Sequence, residues 1–271
     1  MPYSYETRMK TVRKELQRIN KKEMNLRAAA LDRKPAQWRV QLEERIPEKV
    51  ALGMQKAFGT GFSAVFKQGQ TLIEKTYNKE EIKADHTIMD YAIQVKGSWK
   101  EMWNLRTNVS AASGINLAIT TIEGVGLGAL GVGMPDIILF ISTLLRGIYE
   151  TALRYGFSYE SEQEQLLILK MMAAAMSSGK EWMERDAEVD QLLCSNAVVS
   201  QDYLDQQIQE TAAVFAMDML VLKFIQGIPV VGMVGGMANP VYYRKILQYV
   251  QLKYHKRYLH KQLYSYARLP E

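Results

Sequence analysis

Residues 124–156 read GVGLGALGVGMPDIILFISTLLRGIYETALRYG, and the reading of this stretch decides the fold. Gly126, Gly128 and Gly131 satisfy G-x-G-x-x-G, and Glu150 follows at roughly the 20-residue distance where a ribose-binding acid stands in a dinucleotide fold. That fingerprint must join a strand to a helix. Here Pro135 comes shortly after Gly131 and the surrounding periodicity is helical. The stretch is therefore read as a helix–hinge–helix unit: the glycines break one helix, Pro135 suits the first turn of the next, Asp136 faces the positive end of its dipole, and Gly156 stops it.

Working outward, the remaining apolar pattern is helical too. Tyr5, Met9, Val12, Leu16, Ile19 and Leu26 recur at three- and four-residue steps among Lys and Arg, which predicts a basic amphipathic first helix ending before Pro35. Pro47 opens a second helix with Val50, Met54, Phe58, Phe62, Val65 and Phe66 on one face. Asp85 is read as the cap of a third, running through Tyr91 and Trp99 toward Trp103 and Leu105. Ser161 and Glu164 form an S-x-x-E capping box before LLILKMMAAAM, a helix expected to end at Gly179. Ser200 caps a long helix through Leu204, Ile208, Phe215 and Leu222. No alternating strand pattern is found, so the expected fold class is all-α: a compact multi-helix domain over 40–271, preceded by the basic helix and a polar connection over 1–39.

A second glycine hinge, FIQGIPVVGMVGGMANPVYY, is uncharged from Phe224 to Tyr243. Both hinges contain G-x-x-x-G (Gly124 to Gly128, Gly232 to Gly236) followed by a proline, Pro135 or Pro240, which suggests a twofold internal repeat. Pro229, Pro240 and the glycines argue against a continuous membrane-spanning helix here.

Charge is segregated. Residues 1–49 hold thirteen Lys/Arg against seven Asp/Glu, residues 160–210 hold eleven acids against three bases, and residues 242–270 hold seven Lys/Arg and no acid. This suggests either an anionic partner for the chain ends or ends that fold against the acidic middle. In the C-terminal helix Arg244, Lys245, Lys253, Lys256, Arg257 and Lys261 alternate with tyrosines, Tyr254 and Tyr258 among them. That mixture suits a lipid headgroup zone. Charge alone would also suit RNA. The other reading packs Tyr249, Leu252, Leu259, Leu263 and Tyr266 on the core, with the cations left as a solvated face.

Catalytic signals are weak. The single cysteine, Cys194, excludes an intramolecular disulfide or CxxC site, and a reducing cytosol fits it best. The N-terminal residues lack the apolar core of a secretory signal. G-x-S-x-G is absent, and His86, His255 and His260 are read as surface residues rather than metal ligands. No catalytic residue, cofactor or metal is expected, and the chain is read as a non-enzyme. Glu123, Asp136, Asp218 and Asn239 are polar residues in or beside apolar runs, where an unpaired carboxylate is costly. Glu123, Asp136 and Asn239 could line a ligand cleft between the hinges, the alternative function being a soluble small-ligand binder or enzyme.

The chain resembles the EcsC family of bacterial proteins through three blocks: IPEKV to IEKTY between Ile46 and Tyr77, Gly126 to Gly156, and IPVVGMVGGMANPVYYRKI between Ile228 and Ile246. The resemblance brings a genomic association with the Ecs ABC transporter and no catalytic residues; it does not reach the first helix. Together these readings predict a cytoplasmic accessory protein, peripheral on the inner face of the plasma membrane and partnered by anionic lipid or a membrane protein such as an ABC transporter, with nucleic acid disfavoured.

Overall fold

The segment Leu166–Met176 is buried on every side, which places its helix at the centre of the structure, since only an all-round apolar helix can be enclosed by others. The computed structural model describes residues 5–32, 43–116, 135–193, 195, 198–226 and 240–267. Among them lie ten α-helices and no strand: α1 (Tyr5–Asp32), α2 (Glu48–Ala64), α3 (Gln70–Glu74), α4 (Lys79–Lys96), α5 (Trp99–Asn116), α6 (Pro135–Arg154), α7 (Glu162–Met176), α8 (Gly179–Leu193), α9 (Gln201–Gln226) and α10 (Pro240–Ala267). A π-helical turn, Val65–Gly69, joins α2 to α3.

Helices α6 and α7 form the middle of the bundle. Helix α9 packs against α2 and α7, α8 folds back on α7, α4 and α5 cover α6, and α10 crosses α6 and α7 with α1 laid along its outer side. The apolar core is continuous from Val12 and Ile19 of α1 to Tyr258 and Leu259 of α10. Phe58, Phe62 and Phe215 meet at its α2–α9 end, with the last pair edge to face at 5.4 Å.

Local chemistry sets the ends of these helices. Gly156 takes φ +76 after α6, and the Phe157 amide donates back to Ala152, a left-handed stop that only glycine adopts freely. The Ser161 side chain accepts from the Glu164 amide at 3.2 Å, and the Ser200 hydroxyl from the Tyr203 amide at 3.3 Å, as their spacing predicts. Pro135 and Asp136 fall in the first turn of α6, and Pro240 opens α10.

Three expectations are corrected. Asp85 lies inside α4 and caps nothing; Asn78 is the cap and accepts from Glu81. The helix read through Trp99 to Trp103 is divided by Gly97, which takes φ +57 and faces Arg8 of α1 closely enough to exclude a side chain. The helix after the capping box ends at Met176, and Gly179 begins α8, a charged helix whose buried stripe is Trp182, Asp186 and Val189. Among the described residues no helix is long and apolar enough to cross a membrane. Glu123, Gly124, Gly128, Pro229, Gly232, Gly236 and Asn239 lie outside the described residues, and with them both hinges and the proposed repeat.

Candidate functional site: a cationic face over a buried charge layer

Helix α10 has too many core residues to leave its cations in water. Tyr243, Ile246, Leu247, Val250, Tyr254, Tyr258, Leu259 and Tyr266 all point inward, so the residues between them meet α1, α7 and α8. Lys253 is completely buried. Its Nζ lies 2.7 Å from Asp186 Oδ1 and 2.8 Å from Asp190 Oδ1, and it also donates to Glu23 of α1. Lys256 bridges Glu23 at 2.7 Å and Asp190 at 3.1 Å. Burial alone would lower the Lys253 pKa, but the charges of Asp186 and Glu23 outweigh it and raise the pKa. Asp190 is likewise lowered against its burial by the two lysines.

The next turns of α10 repeat the arrangement. Arg257 Nη1 donates to both carboxylate oxygens of Glu164 at 2.8 Å. Tyr254, fully buried, donates to the same group at 2.7 Å. Tyr258 and Gln262 both donate to Asp90 of α4, at 2.7 and 2.6 Å. Arg257 and Lys261 lie over the Phe157 ring, 4.2 and 5.7 Å from its centroid. These contacts correct the reading of α10 as a lipid-facing helix. Lys253, Tyr254 and Tyr258 are enclosed, and Lys256 and Arg257 are half-buried in ion pairs. Arg244 and Lys261 remain exposed, and Lys245 is half-buried. The C-terminal end of the chain folds against its acidic middle, one of the two outcomes the charge segregation predicts.

Carboxylate oxygens of Glu23, Asp186 and Asp190 approach within 4.8 Å of one another. The ammonium groups of Lys253 and Lys256 use the lone pairs a metal ion would need. A second polar knot joins α3 to α4: Tyr159 donates to Glu74 at 2.7 Å and meets the Tyr77 hydroxyl at 2.6 Å, while Lys79 donates to Glu74 at 3.0 Å. Burial raises the pKa of both phenols, so at neutral pH they act as hydrogen-bond groups and stay protonated.

The histidines also depart from expectation. His255 is buried with its ring stacked on Tyr155 at 5.3 Å, and its Nε2 has no hydrogen-bond partner, an omission that ordinarily costs about 1–3 kcal/mol. His86 is half-buried, with Nδ1 3.0 Å from the Arg154 carbonyl. His260 is exposed as predicted.

A row of solvent-facing cations lies along α1. Val12, Glu15 and Ile19 are its buried side. On the opposite side Lys10, Arg13, Lys14, Gln17, Asn20, Lys21 and Met24 follow one another at helical steps, all exposed, and the exposed Glu6 shares this side at its start. Glu15 and Glu23 of α1 are turned inward: Glu15 pairs with Arg18 at 3.0 Å and with Arg106 of α5 at 3.2 Å, and Glu23 pairs with the α10 lysines. Burying the acids leaves the outer face more positive than the sequence of α1 suggests. Along α5, Trp99, Trp103 and Arg106 share one edge at helical spacing. Arg106 reaches α1, while the two tryptophans are exposed and stacked at 6.3 Å. Sequence reasoning reads α1 as a basic amphipathic helix without singling out this face, because Glu15 and Glu23 look like neutralising neighbours.

The architecture is that of an all-α protein whose charged residues are spent partly on internal cohesion and partly on one cationic helix face. The chain belongs to the EcsC protein family, whose model matches residues 10–259. That match begins inside α1 and so takes in most of the first helix. No curated protein and no solved structure is significantly similar to the chain.

Proposed function

We propose that the protein is a non-enzymatic, cytoplasmic accessory protein that rests on an anionic membrane surface through the outer face of α1, with Trp99 and Trp103 as interfacial anchors. The observation that supports this is the row Lys10, Arg13, Lys14 and Lys21, exposed, with Glu6 at its start, ending at Met24, which is 64% exposed. Each such cation near an anionic bilayer contributes about 1 kcal/mol, so four suffice for reversible, salt-sensitive attachment. Indole rings favour the same interfacial zone. Service to an ABC-type transporter, which the family resemblance implies, is part of the same proposal, since a membrane-resting protein is placed beside such a partner.

Tryptophan fluorescence tests the anchor. Anionic vesicles should shift the emission of the native protein to shorter wavelength, and the double variant Trp99→Phe, Trp103→Phe should lose that shift while keeping its helical circular dichroism. A native protein whose emission is unchanged by anionic vesicles at low salt would contradict the proposal.

A further inference from the structure

Beneath α1, on the side away from its outer cations, a groove of about 660 Å³ runs between α1, α5, Tyr155 in the turn after α6, and α10. Its volume is in the range of sites that enclose small organic ligands, roughly 300–1,000 Å³. Ile19 and Leu26 of α1 form one wall, and Leu247 and Leu252 of α10 the other. Among the described residues, the only charged side chains on its lining are cations, Lys22, Arg106 and Arg244. Lys22 is exposed at the rim. The lining also contains His255, 2% exposed, whose Nε2 is without a partner.

We infer that this groove is a binding site for a single-chain anionic amphiphile. The carboxylate or phosphate head lies among His255, Lys22 and Arg106, and the apolar body lies on Ile19, Leu252 and Leu247. Charge complementarity selects the head: Lys22 and Arg106 flank it, Arg106 sharing its charge with Glu15, and among the described lining residues there is no carboxylate. Nε2 is closed to solvent behind the groove wall, so the head becomes its acceptor, when that nitrogen carries the ring proton, only as the side chains covering it give way. The imidazole is neutral at physiological pH: burial first, then the nearby Arg18 and Lys22 charges, push its pKa down to about 3. Arg244 stands three helical turns along α10 from His255, about 16 Å by helical rise, so one small head cannot engage both. This inference is independent of the membrane proposal, which uses the opposite face of α1.

Titration calorimetry of the delipidated full-length protein tests it, with laurate, dodecyl phosphate, dodecyltrimethylammonium, acetate and inorganic phosphate as probes below micelle-forming concentrations. Laurate or dodecyl phosphate should bind saturably at one per chain, and the cationic amphiphile and the bare heads should bind at least roughly tenfold more weakly. Lys22→Gln and His255→Phe should each weaken binding of the anionic amphiphile several-fold. His255→Phe keeps a ring against Tyr155; should it fail to fold, the exposed Lys22→Gln carries the test alone. Binding without saturation, equal binding of the cationic amphiphile or of a bare head, or native affinity in Lys22→Gln would overturn the inference. Vesicle attachment lost with laurate binding intact would count against the membrane proposal only.

Discussion

Lys253 Nζ sits 2.7 Å from Asp186 Oδ1 with none of the lysine side chain exposed, so the most basic helix of the chain is held by charge from within. Tyr249 donates to the same Asp186 oxygen at 2.6 Å, and Glu23 and Asp190 complete the lysine's partners. The pair joins α8 to α10, and Glu23 brings in α1.

Removing the lysine charge should be costly because it strands carboxylates in the interior. Lys253→Met should destabilise the protein by about 3–5 kcal/mol. For a chain of this size that lowers the melting temperature by on the order of 10 °C. A thermal melt within a degree or two of native would show that the network is solvated and contributes little.

Stability should fall in mild acid. The buried His255 has a folded-state pKa of about 3 against an ordinary 6.5. Between those values the unfolded chain binds a proton that the folded chain refuses, so stability is full above about pH 6.5 and declines as pH falls toward 3, by at most about 1.4 kcal/mol per pH unit. The charges facing the ring are Arg18 and Lys22 of α1, both cationic throughout this window. Denaturant titrations at several pH values should show the decline, and His255→Phe should flatten it between about pH 6 and pH 4. An unchanged slope in the variant would assign the decline to other groups.

Two glycines predict opposite outcomes for the same substitution. A Cβ on Gly147 of α6 would lie 2.6 Å from the Tyr243 hydroxyl and 2.8 Å from Leu247 of α10, so Gly147→Ala should cost about 1–3 kcal/mol through overpacking, despite the helix propensity gained. Gly53 of α2 has open space around it, so Gly53→Ala should stabilise by about 0.5–1 kcal/mol. Chemical denaturation of both variants checks the pair; stabilisation by Gly147→Ala would mean that α6 and α10 can move apart freely.

What was legible in the sequence follows from how far apart the interacting residues lie. Caps and stops act over a few residues, so Ser161, Ser200, Pro135 and Gly156 were readable directly, and the helical period excluded the dinucleotide fold. Asn78 and Asp85 are both good caps by type, and only the position of the preceding turn at Lys75 and Thr76 decides for Asn78. Helix α8 was hidden by its charges, because its buried stripe includes Asp186, acceptable inside only with Lys253 and Tyr249 opposite. The fate of the α10 cations depends on partners as distant as Glu23, 230 residues from Lys253, and no local pattern carries that information. For the same reason the exposed face of α1 emerges only once Glu15 and Glu23 are seen turned inward.

The most direct test of this division of charge compares two fourfold variants for co-sedimentation with anionic and neutral liposomes, with RNA as competitor and a thermal melt of each protein. Replacing Lys10, Arg13, Lys14 and Lys21 with Gln should leave the melting temperature near native and abolish most binding to anionic liposomes, as raised salt should for the native chain. Replacing Lys253, Lys256, Arg257 and Lys261 with Gln should instead lower the melting temperature strongly. Full liposome binding by the α1 variant, or loss of binding by a stably folded α10 variant, would contradict the account.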